Sequence, residues 1–129
     1  MSSNTLSGYI GEQYVKYRLL SFGFEVIDVN ANYPYDLIAF SDGPVRIQVK
    51  STSRASSRIS SYKFSTGQGS HHNLYKRGAF DILALFSHKD ERAVFYPQLP
   101  NKYKRIKRNL FVSEVEKRSW FLALNKCKL

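Results

Sequence analysis

Cysteine is nearly missing from this chain: Cys127 is the only one in 129 residues. A single thiol builds neither a disulfide framework nor a zinc cluster, so a reducing, intracellular setting is expected, cytoplasmic or nucleoid-associated. Long apolar runs are missing too. No stretch reaches the roughly 20 residues of a membrane span, and Met1-Ser2-Ser3-Asn4 opens no basic-then-apolar leader. Neither a membrane partner nor a leader is expected. Internal repeats and low-complexity tracts are absent. Negative charge is scarce, with ten Asp plus Glu against twenty Lys plus Arg, a formal net charge of +10. Such an excess fits either a basic, highly soluble protein or one that binds a polyanion, where each neutralised phosphate releases counterions. The 43% apolar content is ordinary, and 129 residues suit one domain with a real core.

The stretch richest in chemistry is residues 35–50, Y-D-L-I-A-F-S-D-G-P-V-R-I-Q-V-K. Apolar runs at 37–40 and 45–49 flank a turn in which Asp42-Gly43 supplies special backbone angles and Pro44 cannot continue a ladder. Side chains alternate along a strand, so Gln48 and Lys50 share one face while Ile47 and Val49 share the other. With Asp36 opening the first strand, an acid, an amide and an amine meet at the ends of adjacent strands. Upstream, Ser7 is the expected N-cap of a helix running to about Phe22, with Gly23 as its stop. Leu6, Ile10, Tyr14 and Tyr17 follow helical spacing, as do Val15, Leu19 and Phe22. Glu12 falls on the second stripe. A carboxylate there is costly unless paired or bound to a cation. Solvation at a frayed end, or attraction to the positive helix N-terminus, explains it equally well.

Residues 24–29 alternate like a strand, with Phe24, Val26 and Ile27 expected inward, and Pro34 biases Tyr33 toward an extended conformation. Residues 51–69 are rich in Ser, Thr and Gly and carry Arg54, Arg58 and Lys63, with a short strand or extended arm over 59–64. They read as a loose loop or as a basic loop lying along a phosphate backbone. Residues 70–78 read as a short helix capped by Ser70 and stopped by Gly78. His71 and His72, being adjacent, cannot face one site from a helix; with Lys76 and Arg77 they fit surface or phosphate contacts better than zinc ligation. Residues 80–86 form the most continuous apolar run, expected as a central strand covered on both faces. A polar turn at 87–91 leads to its hairpin partner, 92–96, ended by Pro97. Lys102, Lys104, Arg105, Lys107 and Arg108 then crowd a segment interleaved with Tyr103 and Ile106, which reads as a DNA contact in preference to a solvated charge run. A final helix over 113–122 should dock Trp120 and Phe121. The organisation expected is a core over 1–97 and a basic extension, 98–129, packed on the same domain.

Phosphodiester hydrolysis needs a hard cation and a water held in line with the leaving oxygen. Mg²⁺ takes oxygen ligands, typically one or two carboxylates beside phosphate oxygens and waters. Asp36 is the first candidate ligand. The Gln48 amide oxygen, the Val49 carbonyl and Glu12, directly or through water, would complete the set. Lys50 would polarise the attacking water or offset phosphate charge, and Ser51 would hydrogen-bond the phosphate or a metal-bound water. Each residue also has a plain alternative. Asp36 fits a turn, and Gln48 and Lys50 fit the solvent face of an edge strand, where lysine guards against pairing.

Together, Glu12, Tyr35-Asp36 and Gln48-Val49-Lys50-Ser51 resemble the PD-(D/E)XK nuclease superfamily, in the branch holding group I intron-encoded homing endonucleases and archaeal-type Holliday junction resolvases. The resemblance spans about residues 7–97. It includes Tyr75-Lys76-Arg77-Gly78-Ala79-Phe80-Asp81, which looks like the helix–strand unit after the catalytic hairpin. Tyr35 separates Pro34 from Asp36, a spacing the superfamily tolerates. Gln48 stands where most members carry Asp or Glu, and is similar to the Gln of the intron-encoded branch. The resemblance implies a single-domain, restriction-endonuclease-like α/β fold, an αβββαβ core with a mixed central sheet flanked by helices. It implies Mg²⁺-dependent cleavage of double-stranded DNA, with Mn²⁺ as a substitute metal, by a homo-oligomer (dimer or tetramer). Site-specific cleavage of the homing type is the leading expectation. A junction-resolving or repair nuclease is one alternative, and a non-catalytic DNA-binding module is another.

Overall fold

The first helix, α1 (Ser3–Ser21), closes on a left-handed Gly23 with φ of +98°. There the Phe24 N–H reaches Leu19 O and the Gly23 N–H reaches Leu20 O, each at 3.0 Å, the paired bonds of a Schellman stop. The computed structural model of the chain describes residues 3–30, 32–52, 60–67 and 73–127. The helix starts four residues before Ser7, which therefore caps nothing. Its hydroxyl lies 2.8 Å from His88 Nε2 instead.

Three antiparallel strands follow: β1 (Glu25–Asp28), β2 (Leu37–Phe40) and β3 (Pro44–Ser51). Asp42 (φ +52°) and Gly43 (φ +128°) form the tight connection, so the Asp-Gly pair takes the left-handed angles its chemistry favours. Pro44 pairs with Phe40 as the first residue of β3, a position that needs no ladder N–H. Ile27 faces solvent rather than the core, at 48% exposure. The edge strand β1 buries Val26 alone, and Phe24 turns its ring edge-on to Trp120 at 5.4 Å.

β5 (Ile82–Ser87) is buried along its whole length. It runs parallel to β3 and antiparallel to β6 (Arg92–Pro97), giving one mixed sheet in the order β1-β2-β3-β5-β6. A parallel pair demands a long crossover, and residues 52–81 supply it. The crossover contains β4 (Ser61–Ser65), which pairs with β7 (Tyr103–Lys107) in a separate two-stranded sheet. The short helix expected over residues 70–78 is not there in its described part, 73–78. The Lys76 carbonyl is taken by the Ala79 N–H (3.0 Å) and the Gln98 side chain (2.7 Å), and Gly78, at φ +78°, closes a turn.

Strand alternation splits the core into two layers. Val45, Ile47 and Val49 of β3 and Ile82 and Ala84 of β5 face α1 and α2 (Ser113–Cys127). Leu83 and Leu85 face the other way, beneath Tyr62, Phe64, Ile106 and Phe111 of the small sheet and its flank. α2 outruns the expected 113–122 because Ala123 and Leu124 are themselves buried. The helices are locked by Glu116, fully buried, which accepts from Tyr14 Oη (2.7 Å), Arg18 Nε (2.6 Å) and the Ala93 N–H (2.8 Å). No helix among the described residues is long and apolar enough to cross a membrane.

Candidate active site

Asp36 stands one residue before β2, its backbone fixed on both sides. Its N–H donates to Ile47 O at 2.8 Å and its carbonyl accepts from the Val29 N–H at 2.9 Å. The Val49 N–H reaches across to Asp36 Oδ2 at 2.8 Å, so one carboxylate oxygen is pinned against β3. Burial raises the Asp36 pKa above its ordinary value, opposed by the Val49 N–H and by Lys50. Desolvation disfavours the charged carboxylate more than these neighbours favour it.

Gln48 and Lys50 share a face of β3, as alternation requires. Gln48 is buried, and its Nε2 donates to Val49 O at 3.2 Å. The Lys50 pKa is lowered by burial, with Asp36 pulling the other way. Its ammonium lies 5.5 Å from the centroid of the Tyr75 ring. Tyr75 itself is raised, first by burial and then by the Asp36 charge, so this ring belongs to the same electrostatic neighbourhood. Sequence reading passed over Tyr75 because its place depends on the path of the crossover.

Glu12 comes from α1, and its pKa is pushed up to about 7, by burial first, then by Asp36, then by Asp28. The Asp36 charge thus disfavours ionised Glu12, and protonation of Glu12 relieves that conflict. The folded state therefore favours protonated Glu12. The stability this contributes is complete below the ordinary value of 4.5 and is lost as pH rises through about 7. Metal-free protein is expected to lose about 1–2 kcal/mol between pH 4.5 and 8, a figure discounted for partial exposure. Glu12→Gln should flatten this slope in chemical denaturation series across that range.

A glycine lets α1 come this close. A Cβ on Gly11 would overlap the Ser51 hydroxyl and meet Phe86 Cδ2 at 3.3 Å. Ser51 Oγ is buried without a hydrogen-bond partner among the described residues, an orphan that phosphate or bound water would satisfy. Gly11→Val should cost about 1–3 kcal/mol by overpacking and shift Glu12 from its place. Urea denaturation and a cleavage assay read the two effects separately. A glycine inside a helical pattern, next to Glu12, was the signal available in the sequence.

The residues expected to touch DNA divide in four. Lys63 lies opposite Arg105 across the β4–β7 pair, and these two share the outward face with Lys107 and Tyr103. Lys63 Nζ sits 4.3 Å from the Tyr103 ring centroid. Lys76, Arg77 and Lys102 are exposed. Lys104 points to the inner side, 5.6 Å from the Tyr96 ring centroid, and Arg108 Nε bonds Asp90 Oδ1 at 3.1 Å, so both are engaged with the protein. Arg54, Arg58, His71 and His72 lie outside the described residues. A cavity of about 860 Å³ is lined by Ser60, Ser61, Asp90, Arg105, Lys107 and Arg108, and none of Glu12, Asp36, Gln48 or Lys50 borders it. Duplex DNA is convex and lies on open surface, so the cavity does not locate the chemistry.

The donor set suits a hard divalent ion: two carboxyl groups, an amide oxygen and the Val49 carbonyl, all oxygen. No three His, Cys, Asp or Glu side chains cluster among the described residues, which leaves the amide and carbonyl to make up the ligand number. The profile of the PD-(D/E)XK endonuclease family matches residues 2–120, nearly the whole chain. The chain belongs to this family. Its restriction-endonuclease-like fold is shared with a bacterial homing endonuclease, I-Ssp6803I, at a TM-score of 0.71 and 23% identity, covering 99% of this chain and 96% of that one. The Holliday junction resolvase Hjc of Archaeoglobus fulgidus aligns at a TM-score of 0.45 and 19% identity, over 77% of this chain and 89% of its own. No curated protein gives a significant sequence match.

Proposed function

We propose that this PD-(D/E)XK protein is a Mg²⁺-dependent endonuclease that hydrolyses both strands of duplex DNA at specific sites, as a homing enzyme does. The observation that carries the proposal is the electrostatic grouping of Asp36 before β2 and Lys50 near the end of β3 with Glu12 of α1, three ionisable groups whose pKa values are all displaced by burial. Membership of the family supports nuclease chemistry. The likeness to I-Ssp6803I over both full lengths supports the homing type. An intracellular location follows from a DNA substrate, and two-strand cleavage by a chain with one such site calls for a homo-oligomer.

Asp36, Glu12, the Gln48 amide oxygen and the Val49 carbonyl would hold the ion. When bound, it offsets the negative charge that grows on the phosphate and lowers the pKa of a coordinated water. Asp36 keeps its orientation through the Val49 N–H. Lys50, whose ammonium burial disfavours, holds and polarises the attacking water, whose proton passes to solvent. The new oxygen–phosphorus bond forms as the bond from phosphorus to the leaving sugar oxygen breaks, and that oxygen takes a proton from a water. Ser51 Oγ donates to a phosphate oxygen. Lys63, Arg105 and Lys107 hold the flanking backbone, a contribution that weakens as salt rises.

Supercoiled and linear plasmids carrying a randomised insert provide the test. Linear products with Mg²⁺, none with EDTA, and one recurring cut sequence are expected. Metal-independent binding without any cleavage would instead make the chain a DNA-binding module whose neutral Gln48 marks lost activity.

A further inference from the structure

Strands β3 and β5 run parallel, so both end at one edge of the sheet, the edge where parallel strands receive their ligands. β3 delivers Lys50 and Ser51 there. β5 leads into His88, which the proposed chemistry leaves unused. Phe86 O accepts from the Thr52 N–H at 3.0 Å, and Thr52 Oγ1 accepts from the His88 N–H at 3.1 Å. His88 is thereby fastened to a residue two places after Lys50. Along extended chain two places span roughly 7 Å, close to the step from one phosphate to the next along a DNA strand.

The His88 ring is fixed from two directions. Ser7 Oγ lies 2.8 Å from Nε2, and the ring stands edge-on to Phe86, with 4.9 Å between centroids and 78° between planes. Both contacts lie where α1 crosses this edge: Gly11, one turn after Ser7, sits over Ser51 and Phe86. Half-buried, the ring commits one nitrogen to Ser7, while Nδ1 has no partner among the described residues. A ring held this way with one nitrogen in reserve is pre-organised for an outside ligand.

The turn that carries His88 also joins the two regions that the nuclease reading assigns to DNA. Asp90, two residues on, accepts from Tyr62 Oη at 2.6 Å and from Arg108 Nε at 3.1 Å. It is tied in this way to the ribbon whose outer face carries Lys63, Arg105 and Lys107. A duplex held by that ribbon and cut beside Lys50 passes the turn between them. We infer that His88 is a DNA-backbone contact, its Nδ1–H donating to a phosphate next to the scissile one, with Ser7 as the positioning residue that fixes the ring. Phosphate oxygens only accept. The contact therefore selects the ring in which Ser7 Oγ–H donates to Nε2 and Nδ1 carries the proton. This inference takes its ligand from the nuclease reading and adds two residues that the reading does not use.

Fluorescence anisotropy in EDTA, with two short duplexes of unrelated sequence, reads binding apart from cleavage. The amide nitrogen of Asn takes the place of Nδ1, and that of Gln the place of Nε2. His88→Ala and His88→Gln should each bind about 5- to 10-fold more weakly, equally on both duplexes, with His88→Asn within about 2-fold of wild type. Ser7→Ala should fall between, and Ser7→Thr should restore binding. Proton–nitrogen correlation spectra of the histidine rings need no variant that might misfold: the duplex should raise the Nδ1-protonated form of His88 in wild type. Unchanged binding in His88→Ala, loss on one duplex alone, rescue by Gln in place of Asn, or an unresponsive ring in bound wild type would each overturn the contact. A wild type that binds neither duplex would overturn it together with the nuclease reading.

Discussion

Asp36→Asn is expected to slow DNA cleavage at least about 10³-fold, near 4 kcal/mol of lost transition-state stabilisation, with the fold intact. The amide still accepts the Val49 N–H through its oxygen, so the strand ends stay joined, but it lacks the negative charge a divalent ion requires. Lys50→Met should lose about 10²–10³-fold for a different reason. Its signature is a contrast between activity and stability. Burial disfavours the Lys50 ammonium, so an apolar side chain of similar length should leave the chain as stable or slightly more so. A group kept at a cost to the fold belongs to the chemistry. Equal losses of stability and activity in Lys50→Met would indicate a structural lysine.

Glu116→Ala carries the second large effect, on stability. The substitution strands the Arg18 guanidinium, the Tyr14 hydroxyl and the Ala93 N–H around a site without solvent. Removing one partner from a buried ionic cluster costs about 3–5 kcal/mol, a large part of the stability of a domain this size. Urea midpoints should fall from wild type through Glu116→Gln to Glu116→Ala, the amide retaining part of the network. A loss below about 1 kcal/mol for Glu116→Ala would mean that the three donors find other acceptors.

Much of this architecture was legible from local chemistry. Asp42-Gly43 specified its turn because few other dipeptides take two left-handed residues without strain. The run through Ile82 and Phe86 specified a strand covered on both faces because nothing polar interrupts it. Other elements depend on partners that local pattern does not reveal. Tyr103–Lys107 read as a charge run, although it is β7, because a two-stranded ribbon hides one side and Ile106 is its only fully covered side chain. The Ser70 and Gly78 punctuation suggested a helix, but the same residue types end turns, and the Gln98 side chain holds residues 73–78 in one. Ile27 looked inward because strand alternation is ambiguous where two apolar residues adjoin. The residues of the candidate site were visible in sequence as Glu12, Asp36, Gln48 and Lys50. Tyr75 and the Glu116 lock were not, since each acts through contacts between distant segments, and Gly11 showed only as a glycine beside Glu12.

Convergence of these groups on one ion is the central claim, and Mn²⁺ titration followed by electron paramagnetic resonance measures it most directly. Wild type should bind Mn²⁺, Glu12→Gln more weakly, and Asp36→Asn at least about 10-fold more weakly, with Lys63→Ala unchanged. Equal Mn²⁺ affinity in wild type, Asp36→Asn and Glu12→Gln would contradict the account.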